Sequence, residues 1–139
     1  MVTRRSAKVK GSQFEYDCHA SLKQRRSFDG ISLTKERGFQ RQFDIKIPIY
    51  NYPDRYLAVE CKRHAKFSWN QLLKLYKKLV SKTPDADNHY LLFKPNLQPC
   101  LVFYFNEPDN RYEITPFPDF FGVPFIKHES TRPKKSVCL

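Results

Sequence analysis

The sequence predicts an α/β domain: one central mixed β-sheet flanked by helices, with elements in the order α-β-β-β-α-β-β. Three observations carry this. Segments 13–26 and 69–82 place apolar residues at steps of three and four, the period of a helix with one buried stripe. Segments 39–47 and 56–62 alternate residue by residue, the period of strands. The chain of 139 residues is 40% hydrophobic and 15% aromatic, enough for one core and marginal for two.

Residues 1–10 hold four Lys/Arg and little to bury, which reads as a flexible basic arm. Ser12 stands three before Glu15, the spacing of a capping box. Phe14, Cys18 and Leu22 follow as one stripe, and Lys23, Arg25 and Arg26 give the basic last turn that the helix dipole favours. Ile31 and Leu33 suggest a short strand. From Phe39 to Ile47, Phe39, Arg41, Phe43, Ile45 and Ile47 share one face, with Gln40, Gln42, Asp44 and Lys46 on the other. Pro48 and residues 51–54 form the connection to Tyr56–Lys62. There Leu57, Val59 and Cys61 point one way, opposite Tyr56, Ala58, Glu60 and Lys62. These two strands are expected to pair antiparallel.

Ser68 can cap the second helix, whose stripe is Trp69, Leu72, Leu73, Tyr76, Leu79 and Val80, and Pro84 stops it. His89–Phe93 and Leu101–Phe105 are two more strands of the sheet, and Tyr112–Ile114 is a candidate for another. The Phe-rich segment 117–125 is expected to pack irregularly, because its prolines forbid a long regular element. Residues 11–128 thus form one domain, followed by a frayed basic tail at 129–139.

Charge narrows the function. The net charge is +11. Residues 1–82 carry 19 Lys/Arg against 7 Asp/Glu, and residues 83–139 carry 6 against 7, so one part of the chain holds the whole positive field. A phosphate-bearing partner fits that field. The aromatic content excludes a disordered basic tail. No 18-residue apolar run is present, and the basic start lacks a following apolar stretch, so no membrane span and no secretion signal is read. Four cysteines at 18, 61, 100 and 138 lie roughly forty residues apart, unlike a zinc knuckle or a secreted disulfide framework. They read as reduced thiols of a cytoplasmic or nuclear protein.

Fifteen residues intervene between Asp44 and Glu60-Cys61-Lys62. Strand period puts Glu60 and Lys62 on one face, beside a carboxylate from the preceding strand. Two such carboxylates suit Mg²⁺ or Mn²⁺, hard cations that take oxygen ligands and keep several waters. A bound cation can polarise a phosphodiester and stabilise charge developing on phosphorus oxygens. Lys62 can neutralise the same charge, and the Cys61 backbone carbonyl can add a metal oxygen. The plainer alternative is a solvated edge-strand face. His64 is a candidate phosphate contact or proton carrier. Arg41, Arg63, Lys66, Lys74, Lys77 and Lys78 are candidates for backbone phosphate contacts. Tyr16, Tyr56 and Trp69 are candidates for base stacking, with core packing favoured for Trp69. His19, one turn after Glu15, is a partner for that carboxylate.

Gly11-x-x-Phe14-Glu15, Gly38-Phe39-Gln40-Arg41-Gln42-Phe43-Asp44-Ile45 and Leu57-Ala58-Val59-Glu60-Cys61-Lys62-Arg63 together resemble the PD-(D/E)xK, restriction-endonuclease-like nuclease superfamily. Within it the likeness is to archaeal Holliday-junction resolvases and Mrr-type nucleases, and it covers roughly residues 11–105. Phe43 stands where the Pro that names the superfamily would be. The resemblance implies a metal-dependent endonuclease acting on DNA, possible structure-specific cutting, and hence a homodimer, since two symmetric incisions need two sites. It implies Asp44 and Glu60 as metal ligands, Lys62 as the assisting residue, Glu15 as an additional acidic member, and Gln71 or Lys74 as the contribution of the second helix. The segment 117–125 is either a dimerisation surface or plain core. Two other functions suit the composition: a non-catalytic nucleic-acid-binding module, and a protein-interaction subunit.

Overall fold

Six strands lie side by side in chain order to form one sheet. They are β1 (Ser32–Leu33), β2 (Ile45–Ile49), β3 (Tyr52–Arg63), β4 (Asn88–Lys94), β5 (Leu101–Asn106) and β6 (Arg111–Pro116). Helix α1 (Arg4–Lys23) precedes them, α2 (Trp69–Lys82) joins β3 to β4, and α3 (Phe117–Phe121) follows β6. The computed structural model describes residues 4–34 and 43–128, with side chains from residue 11 onward. β3 and β4 pair parallel and every other neighbouring pair is antiparallel, so the sheet is mixed, as the sequence predicts. The parallel pair requires a crossover, and α2 supplies it. Among the described residues no helix is long and apolar enough to cross a membrane.

Alternation along the strands sorts the core into two layers. Leu57, Val59 and Cys61 of β3 join Ile45, Ile47, Leu92 and Val102 beneath Phe14, Cys18 and Leu22 of α1 and Phe117 and Phe121 of α3. On the other face, Leu72 and Tyr76 of α2 pack on Leu91, Phe93 and Phe103, while Leu79 meets Tyr56 and Ala58. Ser68 caps α2, its Oγ accepting from the Gln71 N–H at 3.1 Å.

Several features depart from the sequence reading, among them the expected connection: Pro48 lies within β2 and residues 52–54 within β3, leaving only a tight turn between the two strands. α1 begins at Arg4, so Ser12 lies inside the helix and caps nothing, and residues 4–10 are helical rather than an arm. A helix nucleated on a buried stripe propagates cheaply through Arg, Lys and Ala, and this outweighs a local capping signal. The alternation expected from Phe39 breaks at Asp44, where the chain bends. Phe43 stacks on Tyr56 at 5.7 Å, on the face opposite Ile45. Residues 39–42, including Arg41, lie outside the described residues, as does the 129–139 tail.

The segment after β6 forms a short helix, with Phe117 and Phe121 buried. Pro118 sits in its first turn, where a missing N–H costs nothing. These rings are core, which removes them as a dimerisation surface. Trp69 is the converse case: expected in the core, it is 49% exposed, with an edge contact to Phe103 at 5.3 Å.

After α3 the chain runs along α1 as a strap. Gln24 Nε2 donates to Pro124 O (2.6 Å), Ser21 Oγ accepts from the Ile126 N–H (2.8 Å), and Asp17 Oδ1 accepts from the His128 N–H (2.7 Å). Asp17 and Ser21 of α1, with Gln24 just past its end, thus satisfy a strap that has no strand partner among the described residues. This explains why Asp17 and Ser21 are buried on an otherwise apolar flank.

Candidate metal and catalytic site

The site forms where β2 begins, against the C-terminal half of β3. Asp44 is held from both sides. Its N–H donates to Val59 O (3.1 Å), and its carbonyl accepts from the Thr34 N–H (3.0 Å). The buried Thr34 hydroxyl also donates to Phe43 O, fixing the bend. Continuing the β2–β3 register one step past Ile45↔Val59 sets Asp44 across from Glu60. The Asp44 carboxylate accepts from the Cys61 N–H at 2.8 Å. Leu57, Val59 and Cys61 anchor β3 in the core, so alternation turns Glu60 and Lys62 to the other face.

The electrostatics follow from this placement. Burial, then a hydrogen bond to Glu60 and the repulsion of its charge, push the Asp44 carboxyl up to about 8 from its ordinary 3.8; the Cys61 N–H and the Lys62 charge oppose the rise. Two carboxyls this close, beside an ammonium, form a compact unit in which the ionised form of Asp44 is disfavoured. The donor set is hard oxygen. Among the described residues no group of three His, Cys, Asp or Glu side chains is arranged to hold a metal. Two carboxylates with the remaining positions left to water and substrate match what Mg²⁺ takes from a protein.

Because the folded-state value lies above the unfolded one, this carboxyl favours folding below about pH 4, and the contribution is lost as pH rises toward 8. The metal-free chain is therefore expected to lose stability from pH 5 to 8, by on the order of a few kcal/mol. Asp44→Asn, whose amide oxygen can still accept from Cys61, is expected to flatten that loss. Thermal melts in EDTA across the range check it, and parallel profiles for the two proteins would contradict it.

The other residues singled out by sequence are placed differently. Glu15 is half-buried on α1, which lies against the face carrying Cys61 rather than the face carrying Glu60. Gln71 is exposed in the first turn of α2, with Lys74, Lys77 and Lys78 exposed along the same helix and Lys66 exposed before it. Arg63 is half-buried, its Nη1 donating to Lys94 O (3.0 Å) and His64 O (3.2 Å). His64 lies 5.2 Å from the Phe67 ring, and burial together with the Lys62 charge lowers its pKa. Tyr56 is buried and donates to Asp85 Oδ1 at 2.7 Å, so it is a core residue and not a stacking platform. The Tyr16 ring stacks on His128 at 5.3 Å, and His19 Nε2 lies 3.5 Å from Ile31 O.

Cys61 presents its N–H to Asp44, while its thiol turns inward to meet Cys18 and Cys100. These three are buried free thiols, and burial pushes Cys61 up to about 12 and Cys18 upward as well. Cys18 and Cys61 are protonated core residues without nucleophilic character. Sequence reasoning missed Thr34. Its one signal is a hydroxyl directly after the short β1, a position from which it can reach a neighbouring bend.

No protein-family model matches the chain, and no curated protein does. Among solved structures it is similar to the Holliday junction resolvase Hjc of the archaeal hyperthermophile Archaeoglobus fulgidus, with a TM-score of 0.43 and 14% identity, over 84% of this chain and 92% of that one.

Proposed function

We propose that this chain is a divalent-metal-dependent endonuclease that hydrolyses phosphodiester bonds in DNA. The observation that carries the reading is the carboxyl pair itself: Asp44, its carboxylate held by the Cys61 N–H, stands across the β2–β3 register from Glu60, with Lys62 two residues on along the same strand. A strongly positive chain and the three-part resemblance to PD-(D/E)xK nucleases support the same conclusion.

Asp44 and Glu60 would hold Mg²⁺ or Mn²⁺, with the Cys61 carbonyl as a further oxygen donor. The cation, when bound, supplies Lewis-acid polarisation of the phosphodiester and lowers the pKa of a coordinated water. The protein's own groups do the rest. The Cys61 N–H holds the Asp44 carboxylate in one orientation before substrate arrives, and Thr34 fixes the backbone carbonyl of the same residue, which avoids reorganisation during reaction. Lys62 places positive charge where negative charge grows on the phosphoryl oxygens. Water's oxygen bonds to phosphorus as the P–O3′ bond breaks, leaving a 5′-phosphate and a 3′-hydroxyl. Lys66, Lys74, Lys77 and Lys78 position the backbone without reading bases. Glu15 and Gln71 are assisting residues on the resemblance alone, and branched DNA cut by a homodimer is the substrate and assembly it implies.

The test is cleavage of single-stranded, duplex, flap and four-way DNA by the native chain with Mg²⁺ or Mn²⁺, beside Glu60→Gln. Metal-dependent products from the native chain only are expected. Equal products from both proteins, or none from the native chain on any substrate, would refute the reading.

A further inference from the structure

The C-terminal ends of β3 and β4 carry charge on the α1 face, away from the lysines of α2. Arg63 and Lys94 are register partners. Alternation continues Cys61 to Arg63 and Leu92 to Lys94, and both Cys61 and Leu92 lie in the core layer beneath α1. The Arg63 guanidinium is fixed here by the carbonyls of Lys94 and His64. The strap then brings a third cation to the corner. Hydrogen bonds from the Ile126 and His128 N–H groups to Ser21 and Asp17 bracket Lys127 on both sides, so its backbone is held. Partial desolvation, and after it the charges of Arg63 and Lys127, lower the pKa of Lys94. Three like charges at one corner, two on strand ends and one on a strap bonded to α1, repel one another, and an anion placed among them relieves that repulsion.

We propose that Arg63, Lys94 and Lys127 form a subsite for a DNA backbone phosphate, a neighbour of the scissile one, reached around the strand ends from the Glu60 face. The subsite rests on the nuclease reading. It extends that reading by giving the substrate contacts on both faces of the sheet. Arg63 lies three residues beyond Glu60, about 10 Å along the strand, so the strand that reaches it passes directly by the carboxyl pair. The strap thereby gains a purpose that core packing alone does not require, since Lys127 is exposed while Phe125 makes the ring contacts to Phe14 and Phe117.

The test is fluorescence anisotropy of the native full chain in EDTA, titrated onto a labelled duplex and a labelled four-way junction at several salt concentrations. Lys94→Gln with Lys127→Gln is expected to make the slope of log K against log [salt] shallower by about 0.9 on the duplex, the release tied to one phosphate. Affinity at 0.1 M salt is expected to fall on the order of tenfold. A thermal melt checks folding, and Lys127→Gln alone serves if the double variant is unstable. An unchanged slope overturns the subsite. So does an equal loss from Lys23→Gln with Arg26→Gln, at and just past the C-terminal end of α1, because that would show a diffuse field. The outcomes separate the two claims. A shallower slope in a chain that never cleaves DNA leaves the subsite standing and removes the nuclease. Cleavage with an unchanged slope does the reverse, and no binding by the native chain removes both.

Discussion

Glu60→Gln and Asp44→Asn are each expected to reduce metal-dependent DNA cleavage on the order of 10³-fold or more, equivalent to about 4 kcal/mol of transition-state stabilisation. Both substitutions keep size and hydrogen-bonding capacity while removing the charge that would hold the cation. Asp44→Asn leaves an acceptor for the Cys61 N–H, so the bend at the start of β2 survives and the loss reports chemistry rather than unfolding. The double variant is expected to be no worse than the weaker single variant, because the two carboxylates act as one unit. DNA binding is expected to hold or tighten in all three, since none adds negative charge facing the phosphates. Single-turnover cleavage beside anisotropy binding separates these effects. Variants that cleave within tenfold of the native chain would contradict the assignment.

Phe103→Ala is expected to cost about 3–5 kcal/mol of stability. The Phe103 side chain is fully buried on β5. It meets Trp69 edge-on at 5.3 Å, Tyr76 edge-on at 5.6 Å, and Tyr112 stacked at 5.6 Å, so one ring joins α2, β5 and β6. Deleting it removes the transfer free energy of the ring and leaves a cavity that three large neighbours cannot all fill. The melting midpoint is expected to drop by roughly 10–20 °C. Phe105→Ala, which deletes a half-buried ring, is expected to cost clearly less. Chemical denaturation of both variants checks the order, and a Phe103→Ala loss below about 1 kcal/mol would contradict this packing.

The parts of the fold legible in the sequence are those whose signals are local. Helix α2 announces itself through Ser68, Leu72, Tyr76 and Leu79, because its cap and its buried face lie within fourteen residues. The alternation of Leu57, Val59 and Cys61 places Glu60 and Lys62 on the opposite face, and the β2–β3 pairing then brings Asp44 across from Glu60. What was not legible depends on distant partners. Phe43 leaves the expected face because Thr34, nine residues earlier, holds its carbonyl and bends the chain. Ser12 imitates a cap within a helix that begins at Arg4. The strap has no periodicity, since its backbone is satisfied by α1 side chains about a hundred residues away in sequence.

The claim on which the function rests is that Asp44 and Glu60 together take up one hard divalent cation. Isothermal titration of the native chain with Mn²⁺ at pH 7.5 tests it most directly. Saturable one-site binding with proton release is expected, abolished in Glu60→Gln and in Asp44→Asn while Lys74→Gln still binds. No detectable uptake by the native chain, or uptake that survives removal of either carboxylate, would contradict it.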